Sequence, residues 1–248
     1  MIRINLENEE DILKNHVQKV QEYINFEALQ NREKSFIKQN IEYILKAKPD
    51  EFENVISMIK QNNIDNNRLK KAFVGGKDCG GSIGYSKFSS KGTTTYNAYA
   101  LAQKLKVNVC PYCNRNFINP IYKENSVGTD NKNQSPDIEH FFPKSIYPFL
   151  SLSISNLLPS CAFCNKIKSD VDTFQHNCLS PYEIKNSDFR FDFSLELNQV
   201  KEVKLISKTD CKNSEILHLE SLYNEVHSKY INDIFKDVLK YPKSLKTI

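Results

Sequence analysis

Apolar residues recur at close to helical spacing from the beginning of the chain. Within residues 10–29, Ile12, Leu13, Val17, Val20, Ile24 and Leu29 fall on one face of a 3.6-residue repeat, which predicts a first helix. Phe36, Ile37, Ile41, Ile44 and Leu45 predict a second, with Pro49 as its stop. Residues 52–59 carry a third, shorter apolar face, and residues 96–106 read as a short helix. The period then changes. Residues 137–140 alternate polar and apolar as a strand does, and residues 156–159 follow after an aromatic, proline-rich loop. Residues 188–193 and 200–206 predict two more strands. Residues 214–239 predict one long amphipathic helix through Ile216, Leu219, Leu222, Tyr223, Val226, Tyr230, Ile231 and Ile234. The expectation is an α+β chain in three parts: a helical N-terminal part with a linker at 1–95, a central core at 96–180, and strands with a long helix at 181–248.

Composition changes this picture little. The chain has 248 residues, 40% hydrophobic and 26% charged, which suits a globular protein and argues against general disorder. No apolar run reaches about 18 residues, so no membrane span is expected. The opening MIRINLENEED is acidic where a secretory signal needs basic residues, so the expected location is cytoplasmic. A formal charge of +4 permits contact with a polyanion without demanding it. Glycines at 75, 76, 80, 81 and 84 lack the GxxxxGK pattern of a phosphate-binding loop, and residues 74–95 read as a linker or surface loop.

The cysteines change it more. Of seven, four form two CxxC pairs, Cys110/Cys113 and Cys161/Cys164, while Cys79, Cys178 and Cys211 are scattered. Paired knuckles supply the four soft thiolates that a tetrahedral structural zinc takes. A redox role would need a βαβ setting that neither pair has. The 47 residues between the pairs must hold something folded. They place Glu139 beside His140 at a strand end, and the second knuckle delivers Asn165, Lys166 and Lys168 onto the first turns of a helix. Strand, loop, strand and helix, tied at the base by zinc, would bring Glu139, His140 and Asn165 together.

The run EHFFPKS…NLLPSCAFCNKIKSD resembles the ββα-metal core of the HNH endonuclease superfamily over residues 107–170, about a quarter of the chain. Within it, the EHFFPKS branch is similar to nuclease subunits of bacterial anti-phage systems, the Septu-type pairs and retron-linked effectors. The resemblance implies that Glu139 and Asn165 hold a catalytic Mg²⁺ or Mn²⁺, that His140 is the general base, and that Asn156 bonds across the loop and positions it. It also implies that Lys168, Lys144 and Lys166 meet nucleic-acid phosphates. Glu139 departs from the more common aspartate by one methylene. The substrate would be DNA or RNA, and the N-terminal helices would dock an ATPase partner encoded nearby. The competing class is a zinc-finger nucleic-acid-binding module without catalytic activity. His227 is read as a packing histidine, and His176 and Cys178 as bystanders beside a zinc shell already complete.

Overall fold

The computed structural model describes residues 1–76, 83–90, 96–120, 135–185, 187–197, 199–207 and 210–240. Cys79, Gly80 and Gly81 lie outside them. The chain forms two compact units, Met1–Ile184 and Lys185–Ile248. Both helix and small sheets are present, and no helix among the described residues is long and apolar enough to cross a membrane.

In the first unit, α1 (Glu9–Val20) is shorter than the expected helix over 10–29, which continues instead as 3₁₀ turns at Gln21–Tyr23 and Phe26–Ala28. Ile24 is extended, and the Asn25 side chain accepts the Glu27 N–H and so caps the second of these turns. Helix α2 (Asn31–Lys46) begins on a capping box, in which the Glu33 carboxylate accepts the Gln30 N–H at 2.9 Å. Helix α3 (Phe52–Gln61) turns Phe52, Val55, Ile56 and Ile59 inward. The short α4 (Asn66–Leu69) runs into a π-helical turn, Lys70–Val74. The stretch expected as a linker carries α5 (Gly84–Phe88), whose Phe88 is fully buried. Gly84 sits at φ +57° with its α-carbon against the Phe73 carbonyl, a place where any β-carbon would collide. Helix α6 (Ala98–Leu105) is capped by Asn97, which accepts the Ala100 N–H.

Strands β1 (Asp137–His140) and β2 (Leu157–Ser160) pair antiparallel, with Glu139 opposite Leu158 and His140 opposite Leu157, and α7 (Ala162–Lys168) follows directly. The loop between the strands is buried throughout its second half. The helices hold it there. Phe52 of α3 packs edge-on against Phe142, the Ser151 hydroxyl donates to the Phe73 carbonyl, and His16 of α1 bonds the Leu152 carbonyl at 2.8 Å.

The second unit is a hairpin, β3 (Phe189–Glu196) with β4 (Gln199–Ser207), and a helical tail. The expected single helix over 214–239 is divided into α8 (Asn213–Ile216), α9 (Leu219–Ser221), a π-helical turn at Leu222–Val226 and α10 (Ser228–Lys240). His218, in the left-handed region at φ 49°, makes the first interruption. The outer edge of β4 accounts for the geometry that follows. The side-chain amides of Asn224 and Asn232 each donate to and accept from one β4 residue, Val203 and Val200, and Glu220 accepts from Leu205 N–H. Side chains thus satisfy a strand edge that would otherwise expose its N–H groups. His227 lies between the rings of Tyr223 and Tyr230.

His16 is fully buried, with one ring nitrogen on Tyr96 Oη and the other on the Leu152 carbonyl. Burial pulls its pKa from 6.5 down to about 4. Between those values the unfolded chain binds a proton that the folded chain refuses, so this contribution is complete above pH 6.5 and lost as pH falls toward 4. Denaturant titrations across that range should show wild type losing about 3 kcal/mol more stability than His16→Gln; equal pH slopes would contradict the assignment.

Candidate metal centre and cleft

Val109 bridges Phe117, and the turn between them carries Cys110 and Cys113. Asn114 takes the left-handed conformation, φ 49°, which turns the chain back so that the Cys110 N–H reaches the Asn116 carbonyl. The second knuckle begins where β2 ends. Cys161 caps α7, its sulfur accepting the Cys164 N–H at 3.4 Å. All four sulfurs lie within 4.8 Å of one another and all four residues are buried. Hydrogen bonds within the cluster, that from Cys110 first, pull the Cys113 thiol down to about 7, while neighbouring Cys113 pushes Cys110 up. Sulfurs this close cannot all carry charge without a cation between them. The donor set and spacing fit zinc, which would be held by Cys110, Cys113, Cys161 and Cys164 and would close the base of the fold.

A cleft of about 750 Å³ is lined by Tyr85, Asp137, Glu139, His140, Lys144 and Asn165 among others. His140 is 5% exposed, and its Nε2 lies 3.0 Å from the Ser151 carbonyl. A carbonyl only accepts, so Nε2 carries the hydrogen and Nδ1 keeps the basic lone pair. Burial, then the charge of Lys144, holds the ring's pKa well below the usual histidine range, so it stays neutral. Tyr85 packs edge-on against the imidazole, centroids 4.2 Å apart, and its hydroxyl donates to the Ile138 carbonyl. Asn156 is fully buried. It accepts the Phe142 N–H at 2.7 Å and donates to the Phe142 and Leu150 carbonyls, pinning the loop that carries Ser151.

Glu139 faces protein on both oxygens. Lys168 Nζ lies 2.6 Å from Oε1, and Tyr112 Oη donates to Oε2 at 2.6 Å. Lys168 is 1% exposed and also donates to the His140 carbonyl at 2.8 Å. The lysine expected at a phosphate thus points inward, onto the acid and the backbone of the histidine. Asn165 lies on the cleft wall and donates to Asp137 Oδ2 at 3.0 Å. Lys144 and Lys166 line the same cleft, Lys144 with its ammonium 5.6 Å from the centre of the Tyr85 ring. The structure therefore brings Glu139, His140, Asn165, Lys144 and Lys166 to one cleft, with Lys168 joined to Glu139 and the His140 carbonyl, whereas Asn156 lies outside the lining and holds the loop. His176 is exposed and lies outside both the cysteine cluster and the cleft lining. Each Glu139 oxygen accepts one bond from protein, while Asp137 and Asn165 meet each other on the cleft wall. Sequence reasoning missed Tyr112, Tyr85 and Ser151, for which no local signal exists. Asp137 had one: it stands two residues before Glu139, on the same face of a strand.

The Septu protein PtuB of Bacillus thuringiensis is 30% identical to this chain over 104 residues, 41% of the chain and 37% of that relative. The match thus spans little more than a third of the relative's length. No protein-family model matches, and no solved structure matches.

Two outcomes follow from the geometry. Purified protein should contain about one tightly bound zinc per chain by elemental analysis, and Cys110→Ser or Cys161→Ser should lose both the metal and cooperative unfolding. A zinc-free protein with the fold intact would count against the centre. Asn156→Ala, which strands the Phe142 and Leu150 backbone groups, should cost about 2–4 kcal/mol in denaturant titration; a loss below about 0.5 kcal/mol would show that the loop does not depend on it.

Proposed function

We propose that this chain is a metal-dependent endonuclease of the HNH type, hydrolysing phosphodiester bonds of DNA or RNA as an effector of anti-phage defence beside an ATPase partner. The observation that carries the reading is His140: a buried imidazole lining an open cleft, with Nε2–H committed to Ser151 and Nδ1 left as a base. The hairpin, the following helix and the four-cysteine cluster supply the scaffold that such a site uses, and the likeness to the Septu protein PtuB supports the defence setting.

In this mechanism His140 Nδ1 takes the proton from the attacking water. The imidazole can do so because the Ser151 carbonyl takes the Nε2 hydrogen and leaves the Nδ1 lone pair as the acceptor. Asn156 and the helices packed on the loop keep Ser151, and so the ring, in place. Lys144 and Lys166, at the cleft, meet backbone phosphates, and binding weakens with salt. A divalent cation held by oxygen donors of the cleft would neutralise charge on the phosphate and the departing oxygen. The α1–α3 region, besides holding the loop, offers its outer faces to the ATPase partner.

His140→Ala should lower cleavage of DNA or RNA by on the order of 10²–10⁴-fold with zinc content and folding unchanged. Cleavage at the wild-type rate would mean that water is activated elsewhere and would end this reading. No cleavage of either polymer by the wild-type chain, with any partner present, would favour the binding-module alternative.

A further inference from the structure

We infer that Asp137, not Glu139, is the carboxylate that holds the divalent cation of the cleft, with Asn165 as its companion, and that Glu139 belongs to an internal clamp. The inference rests on the nuclease reading and specifies its metal site. Burial separates the two acids first. Glu139 is 3% exposed with both oxygens taken, one by the Lys168 ammonium and one by the Tyr112 hydroxyl, whereas Asp137 is exposed on the cleft wall. An ion drawn to Glu139 would meet a carboxylate whose charge is already balanced by an ammonium that is itself buried and that also holds the His140 carbonyl.

The Asn165 amide adds direction. Its NH₂ is donated to Asp137 Oδ2, since a carboxylate offers no hydrogen to share, so its carbonyl oxygen is left to face another group. One Asp137 oxygen and the Asn165 oxygen are a hard, oxygen-only pair of the kind that Mg²⁺ or Mn²⁺ accepts alongside water and phosphate. The independent pointer to a ligand is His140. It is 95% buried, lines the same cleft, and has no hydrogen-bond partner on Nδ1 among the described residues. Asp137 and Asn165 would thus set the ion at the wall of the space that His140 faces, and Lys168 would act as a positioning residue through Glu139 and the backbone of His140.

The test is Mn²⁺ binding to the full-length, zinc-loaded chain, read by electron paramagnetic resonance, with nuclease activity measured in parallel. Asp137→Asn should weaken Mn²⁺ by at least about tenfold, with zinc content and circular dichroism unchanged, and raised Mn²⁺ should restore part of its activity. Glu139→Gln should keep Mn²⁺ affinity within about threefold while lowering the melting temperature. Should that variant fail to fold, Glu139→Gln with Lys168→Met removes both buried charges together and carries the comparison. Mn²⁺ binding lost in the folded Glu139 variant and kept in Asp137→Asn would overturn the inference and leave the nuclease reading standing. A wild-type chain that neither binds Mn²⁺ at millimolar concentration nor cleaves would overturn both.

Discussion

Two charges with almost no access to water meet inside the Met1–Ile184 unit: the Lys168 ammonium and the Glu139 carboxylate, 2.6 Å apart. Neither can be buried alone, and removing one partner of such a pair typically costs about 3–5 kcal/mol. The pair therefore dictates where α7 sits against β1. Its third member, Tyr112, arrives from within the first CxxC turn, and Lys168 arrives one turn beyond the second. The four-cysteine cluster is what makes the encounter possible. By tying the two knuckles together it fixes both arms that grip Glu139, and the same lysine then fixes the main chain of His140.

The cleft depends on a second set of restraints that reach it from the other side. The loop between β1 and β2 has no regular ladder of its own, so its backbone groups must find partners elsewhere. Asn156 supplies three of them, and the N-terminal helices supply more through His16 and the Phe73 carbonyl. Ser151 can hold the His140 tautomer only because these contacts hold Ser151. In this unit the helices are thus part of the support of the cleft, whatever their outer faces bind. The Lys185–Ile248 unit solves a similar problem by another route, covering the β4 edge with asparagine and glutamate side chains from its helical tail.

Much of this was legible in the sequence, for reasons that are local. The knuckles follow from residue type and spacing, because thiolate chemistry needs little else. The strand at 137–140 and the helices α2, α3 and α6 follow from periodicity, with Pro49 marking a boundary by its own backbone chemistry. Side-chain competition blurred the rest. Asn25 starts a new turn inside the first apolar stretch, and the amides of Asn224 and Asn232 answer to β4 as well as to their own helix, which no periodic pattern records.

The chemistry of the cleft divides along the same line. Residue type and spacing alone pointed to an acid, a histidine and Asn165 beside a thiolate centre, and the resemblance to the HNH core added Asn156 and Lys168. Only the tertiary structure decided which of them face each other. Lys168 reads as a phosphate contact until α7 is laid against β1 and its ammonium meets the Glu139 carboxylate. Asp137 reads as an ordinary strand residue until Asn165, 28 positions later, donates to it. Such contacts arise between segments distant in sequence, and their selection depends on burial and on the geometry of the whole unit, which no local pattern of side chains encodes.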